Sequence, residues 1–276
     1  MKLSKSEIKR HNEAMALVDL ARDLTDSEKE FVLDNFNEGA LHMNSAAGAF
    51  FTPRGLARDF AIEVHGGRVI DLCAGIGALA YAVADRVESL TCVEINADYC
   101  RIGRKIVPAA TWINASVFDP LLLDLGIFEI AISNPPFGAV KGDDYSGSYT
   151  GGQFEYKVME LASRLARFGT FILPAGSANF EYSGKRQFNY VESRKAKAFR
   201  EQTKILMEMN CGIDTSTYQN EWRGVSPVCE IALCDFGNVS NEWPEEIPVP
   251  VSVPVYSAVV PAQVGAVRAV QLDMFA

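Results

Sequence analysis

Ile127-Phe-Glu-Ile-Ala-Ile-Ser133 runs directly into Asn134-Pro135-Pro136-Phe137. The first seven residues are an apolar run with a single acid, the pattern of a strand buried on both faces of a parallel sheet. Two consecutive prolines cannot continue a central strand, because each lacks an N–H and fixes φ, so the chain must leave the sheet there. An amide side chain, a proline carbonyl and an aromatic ring are thereby carried on a stiff turn at a strand's C-terminal end, the edge where open α/β sheets bind ligands. These groups suit a planar amino group. The Asn134 oxygen and the Pro135 carbonyl can each accept an N–H, and Phe137 can stack on the ring bearing it.

Working outward, the chain alternates strand and helix from residue 68. Strand signals fall at 68–72, 89–95, 111–115, 127–133 and 169–174, with helices at 78–87, from 97, at 153–167 and up to about 209. Residues 211–218 and 228–236 read as an antiparallel hairpin closing the sheet. This alternation predicts an α/β fold, a doubly wound, mostly parallel seven-stranded Rossmann-like sheet with a C-terminal antiparallel hairpin. Ahead of it, helix signals at 4–23 and after Thr25-Asp26-Ser27-Glu28 predict a helical N-terminal extension. The expected division is a helical extension over 1–47, a catalytic domain over 48–240, and an extended tail over 241–276, where five prolines between 244 and 261 alternate with Val and Ala.

The 276 residues are 48% hydrophobic and 22% charged, which fits a globular chain with a sizeable core. No apolar run is long enough to span a membrane, and Met1-Lys-Leu-Ser-Lys-Ser6 lacks a signal-peptide core. Six cysteines without a CxxC pair, and three histidines, give no metal spacing and fit a reducing cytoplasm. A net charge of −9 requires that any nucleic-acid partner be held by a local basic patch.

Asp71-Leu-Cys-Ala-Gly75-Ile-Gly77 is a glycine turn between a strand and a helix, where the backbone can approach a ligand closely. Glu94 ends the next strand, 17 residues after Gly77, where a carboxylate can accept both hydroxyls of a ribose. A glycine turn or an acid near a helix start is common structural punctuation when it stands alone. In order, and followed by Asn134-Pro135-Pro136-Phe137, the two suggest a nucleoside cofactor. The full dinucleotide fingerprint is missing because position 80 is Ala.

With Phe51-Thr52-Pro53 ahead of them, these motifs resemble the class I S-adenosylmethionine-dependent methyltransferases that methylate amino groups, in particular the gamma-type DNA adenine-N6 enzymes. The resemblance covers roughly residues 50–238. It implies that Thr52 and Pro53 contact the methionine end of S-adenosylmethionine, that Asp71, Gly75 and Gly77 form the first cofactor motif, and that Glu94 binds the ribose. It further implies a catalytic motif of Asn134, Pro135, Pro136 and Phe137, with base flipping in a duplex. The family often places Asp after the third strand to bind the cofactor adenine; here Ser116 stands at that place and Asp119 three residues on, and either is a candidate.

Two insertions follow the strands at the active edge. Gly138–Gly152, with five glycines, Tyr145 and Tyr149, reads as a mobile loop able to close over a base. Gly176–Lys204 interleaves Phe180, Tyr182, Phe188 and Tyr190 with basic residues; Lys185, Arg186, Arg194, Lys195 and Lys197 are candidate nucleic-acid contacts. Gln271-Leu272-Asp273-Met274-Phe275 resembles the peptide by which bacterial replication and repair proteins dock on the sliding clamp, which implies a bacterial, plasmid or phage setting and DNA as the partner. The competing readings are an RNA methyltransferase acting on adenine N6 or guanine N2, and a non-catalytic clamp-tethered nucleic-acid-binding protein. A protein glutamine methyltransferase would usually carry Tyr at the position of Phe137.

Overall fold

A computed structural model describes residues 3–37, 50–140, 144–223, 225–237 and 239. The C-terminal peptide 271–275 and the 38–49 connection lie outside them.

The sheet begins with β1 (Arg68–Leu72), β2 (Ser89–Glu94), β3 (Thr111–Asn114), β4 (Phe128–Ser133) and β5 (Ala166–Pro174), which pair in parallel, and ends with β8 (Glu208–Met209) and β9 (Cys229–Asp235), which are antiparallel. The strand order is β3-β2-β1-β4-β5-β9-β8. This is the expected α/β sheet. Because β1 is flanked by β2 on one side and β4 on the other, the chain reverses direction across the sheet between β1 and β4, which opens a crevice at their C-terminal ends. Asp71 on β1 is registered with Ile132 on β4, two residues before Asn134.

Period-2 alternation builds a core on each face of the sheet. Val69, Ile130 and Ile132 pack on one face with α1 (Lys5–Val18), α2 (Asp26–Asn35), α3 (Arg54–Phe60), α4 (Ala78–Val83) and α5 (Ala97–Ile106). Ile70, Leu72 and Ala131 pack on the other with α6 (Phe154–Ala162) and α7 (Arg194–Thr203). Capping boxes start the first two helices: Ser4 with Glu7, and Thr25 with Glu28. Phe36, at the end of α2, is fully buried against Phe51 and Tyr99, so the N-terminal helices share the sheet's core.

The structure corrects several boundaries. The helix expected to reach residue 167 ends at Ala162, because β5 is needed from Ala166 onward to pair with Phe128. The helix expected to reach about residue 209 is shorter: a two-stranded ribbon, β6 (Phe180–Glu181) and β7 (Asn189–Tyr190), comes first, and α7 starts at its Ser193 cap. Residues 211–218 are not a strand. Asn210 Oδ1 accepts the N–H groups of Gly212 (2.9 Å) and Ile213 (2.5 Å), which turns the chain, and Thr215–Tyr218 is a 3₁₀ turn capped by Asp214. The β9 partner is instead the short β8. Among the described residues, no helix is long and apolar enough to cross a membrane.

Candidate active site

The Asp71–Gly77 turn leaves β1 with three left-handed residues, Cys73 (φ 63°), Gly75 (φ 56°) and Gly77 (φ 91°). Left-handed backbone is costly for most residues with a Cβ, so the two glycines are where it is least strained. A Cβ on Gly75 would lie 3.1 Å from the Phe51 ring, and one on Gly77 would lie 3.2 Å from the Trp112 ring. The turn is therefore closely covered on both sides.

Asp71 is 1% exposed, and neither of its carboxylate oxygens makes a hydrogen bond of good geometry, although the Ala80 N–H lies close enough to ease its charge. Burial, and secondarily the nearby Glu94, raise its pKa well above the ordinary carboxylate value. Glu94 ends β2 close by. Its Oε2 accepts the Gly75 N–H (2.8 Å) and its Oε1 the Asn96 N–H (2.8 Å), which leaves further lone pairs on both oxygens. Burial pushes the Glu94 pKa up, opposed by the N–H groups of Asn96, Gly75 and Ile95.

Across the crevice, Ser133 at the end of β4 donates its hydroxyl to the Leu72 carbonyl, locking β4 to β1 just before the prolines. Asn134 then donates its Nδ2 to the Phe50 carbonyl (3.0 Å) and to Thr52 Oγ1 (2.9 Å). The Phe50 carbonyl can only accept, so it sets which end of the amide faces it. The Asn134 Oδ1 is left as an acceptor. Neither it nor the Pro135 carbonyl accepts a hydrogen bond among the described residues. Pro53 begins α3, and Arg54 ties that helix to α2 through Asp34 (2.9 Å) and Glu30 (3.2 Å). Phe50, Phe51, Thr52, Asp71, Gly75 and Asn134 thus line one cleft.

The sequence reading missed Glu155. This fully buried carboxylate on α6 accepts the Gly138 N–H (2.8 Å) through Oε2 and the Ser177 hydroxyl (2.7 Å) through Oε1. The Gly138 carbonyl in turn accepts the Phe154 N–H (2.7 Å), so the exit of the Asn-Pro-Pro-Phe turn is clamped from both sides. An acid on an otherwise apolar helix, soon after that turn, was the available signal.

The remaining sequence candidates are not among the lining residues of that cleft. Ser116 Oγ accepts the Phe118 N–H (3.2 Å). Asp119 caps the 3₁₀ turn Pro120–Leu125 and lines a second cavity with Tyr145, Glu160 and Arg164. Tyr145 and Tyr149 do not form an open arm over the cleft. Tyr145 donates its hydroxyl to Glu160, and Tyr149 is 3% exposed, edge-on to Tyr156 and Phe199. Tyr149, which completes a core, cannot also stack on a ligand without unpacking it, whereas Tyr145 is half-buried beside the cavity that Asp119 lines. Lys185, Arg186, Arg194, Lys195 and Lys197 lie on or just after the β6–β7 ribbon, away from the cleft's lining.

Residues 53–147 match the family model of the methyltransferase small domain. Comparison with curated proteins finds no match. Among solved structures, one similar chain is a Listeria monocytogenes protein assigned to the class I S-adenosylmethionine-dependent methyltransferases, 11% identical over 89% of this chain and 79% of that one, with a TM-score of 0.55. Others include the M protein of the type I restriction enzyme EcoKI (13% identity, 83% and 54% coverage, TM-score 0.48) and a T. thermophilus 16S rRNA N2 methyltransferase (16% identity, 67% and 43% coverage, TM-score 0.39). The matched segment, residues 53–147, carries the methyltransferase small domain, and the likeness to these solved structures is one of fold. The matched domain's family implies S-adenosylmethionine as cofactor, and the cleft has groups that fit it: the buried Asp71 carboxylate suits a cationic amino end, and Glu94 suits hydroxyls.

Proposed function

We propose that this chain methylates the exocyclic N6 amino group of adenine in DNA. The observation carrying the reading is the orientation of Asn134. Its amide hydrogens are engaged by Phe50 and Thr52, which leaves its oxygen as a free acceptor on a residue that lines the cleft, and the Pro135 carbonyl next in the chain would be the second acceptor. A base amino group is a weak nucleophile because its lone pair is delocalised into the ring. Two acceptors that each hold one N–H draw the nitrogen towards tetrahedral geometry and localise that pair. Bound S-adenosylmethionine supplies an electrophilic methyl group on a sulfonium. Thr52 and the Phe50 carbonyl hold Asn134 in place beforehand, so the acceptor geometry costs little reorganisation during reaction. Phe137 stacks on the base, which must be unpaired to enter. In this reading Asp71, Gly75, Gly77 and Glu94 hold the cofactor with Thr52 and Pro53, and Ser116 or Asp119 meets its adenine.

DNA is favoured by the basic residues of the second insertion and by the clamp-like peptide at 271–275. The test is transfer of labelled methyl groups to DNA, RNA and protein fractions, followed by nucleoside identification. N6-methyladenine in DNA is the expected product, and label confined to RNA or protein rejects the assignment. Asn134→Ala is expected to lower the transfer rate by about 100-fold or more while S-adenosylmethionine binding persists. Undiminished transfer would remove Asn134 from the chemistry.

A further inference from the structure

The β6–β7 ribbon has an exposed aromatic face that neither the fold nor the methyl-transfer chemistry uses. Phe188 immediately precedes β7 and Tyr190 ends it, and the two are 42% and 64% exposed. Phe180, paired opposite Tyr190, is fully buried, with its ring centroid 5.7 Å from that of Phe188. A lone exposed aromatic needs no explanation; two at one short ribbon, beside a buried third, form a platform.

The charges around it are not balanced. Lys185 pairs with Glu181 (3.3 Å), Lys197 with Glu201 (3.8 Å) and Arg200 with Glu192 (2.8 Å). Arg186, Arg194 and Lys195 make no ion pair among the described residues, and the neighbouring acids are already engaged. A chain of net charge −9 therefore concentrates unneutralised cations beside its exposed aromatics.

The ribbon is also held in place. The buried Glu230 carboxylate accepts the N–H groups of Tyr182 (2.8 Å) and Ser183 (2.9 Å). On the other side, Val191 donates to the Asn179 carbonyl (3.0 Å), and the Ser193 hydroxyl donates to the Gly176 carbonyl (3.0 Å). The adjoining Ser177 is bound by Glu155, which also holds Gly138 at the exit of the Asn-Pro-Pro-Phe turn. The platform is thus linked by a short hydrogen-bonded path to the catalytic turn, at the same edge of the sheet.

We infer that the β6–β7 ribbon is the docking surface for an unpaired stretch of DNA, with Phe188 and Tyr190 stacking on bases and Arg186, Arg194 and Lys195 meeting phosphates. Stacking tolerates any base, and these cations carry no base-reading geometry, so the surface supplies affinity and placement rather than sequence choice. This deepens the DNA reading of the active site and rests on it.

The test is binding of a fluorescent single-stranded DNA oligonucleotide to the full chain, beside single-stranded RNA and duplex DNA of the same sequence. The double variant Phe188→Ala/Tyr190→Ala is expected to weaken single-stranded DNA binding by about 10-fold or more. Its S-adenosylmethionine binding should stay unchanged and its melting temperature should fall by no more than a few degrees, since Tyr190 is largely exposed and Phe188 gives up one contact, with Phe180. Arg186→Ala/Arg194→Ala is expected to lower the salt dependence of binding by about 0.7 per lost contact. Wild-type affinity in the aromatic variant, or no binding of single-stranded DNA by the intact chain, overturns the inference. Preferential loss of RNA binding, or binding of duplex DNA alone, overturns it as well. Methyl transfer is scored separately: a chain that binds DNA through this ribbon yet labels no DNA fails the active-site reading and not the docking surface.

Discussion

Asp71 is a residue whose environment opposes its own charge. It is buried, neither oxygen makes a hydrogen bond of good geometry, and Glu94 is nearby, so its pKa in the folded chain lies above its unfolded value. The sign of the linkage follows. The folded state holds its proton more tightly, so the stabilisation is complete below the unfolded value of about 3.9 and is lost as pH rises through the folded one. At neutral pH the ligand-free protein bears this cost, and a cationic group beside Asp71 relieves it. Asp71→Asn is therefore expected to raise the melting temperature of the ligand-free chain, more at pH 8 than at pH 5, and to weaken S-adenosylmethionine binding. Thermal melts at the two pH values with and without cofactor check this; a variant that is less stable and still binds normally would contradict it. Asn134 shows the opposite arrangement, a polar group whose donors are satisfied and whose acceptor is kept available.

Among the elements, α6 is a positioning device as well as a packing one. Its apolar face buries Phe154, Tyr156, Val158 and Met159. Glu155, equally buried, spans from Gly138 to Ser177. Removing that carboxylate leaves two donors unmet, each costing about 1–3 kcal/mol. Glu155→Ala should thus lower the melting temperature by several degrees and reduce kcat, because the turn carrying Asn134 and Pro135 loses its anchor. Glu155→Gln can still accept from Gly138 and donate to the Ser177 hydroxyl, so it should recover most of both. Melts and kcat of the two variants check this; an Ala variant with normal kcat would show that the turn holds itself. The helical signals near residue 162 were ambiguous by pattern alone, since Leu161, Leu165 and Ala166 are apolar under either period. Pairing with Phe128 decided where the helix yields to β5.

For the whole molecule, the switch in strand order between β1 and β4 brings together residues far apart in sequence: Thr52, Asp71, Glu94 and Asn134. The ribbon after β5 lies at the same edge. The clamp-like peptide at 271–275, part of the DNA reading proposed above, is tested apart from the site. Leu272→Ala/Phe275→Ala is expected to abolish binding of the full chain to a bacterial sliding clamp while leaving methyl transfer to free oligonucleotides intact. Surface plasmon resonance against the clamp reads the first, and equal binding of variant and parent would dismiss the tail's proposed role.

The alternating fold and the outline of the cleft were legible because they rest on local rules. Period-2 apolar strands, glycines at left-handed turns and prolines ending a strand declare themselves within a few residues. Asn134-Pro135-Pro136-Phe137 belongs to that category: its chain reversal and its acceptors follow from residue type alone. What sequence could not decide is which polar and aromatic groups are left over after folding. Tyr149 and Tyr190 have the same side-chain chemistry, yet one completes a core beside Tyr156 and Phe199 and the other is largely exposed. The Asn134 amide can present either end as far as sequence goes, and the Phe50 carbonyl, 84 residues away, takes its nitrogen and so leaves its oxygen as the available acceptor. Burial and hydrogen-bond satisfaction depend on contacts between distant segments, so they were settled by the tertiary structure.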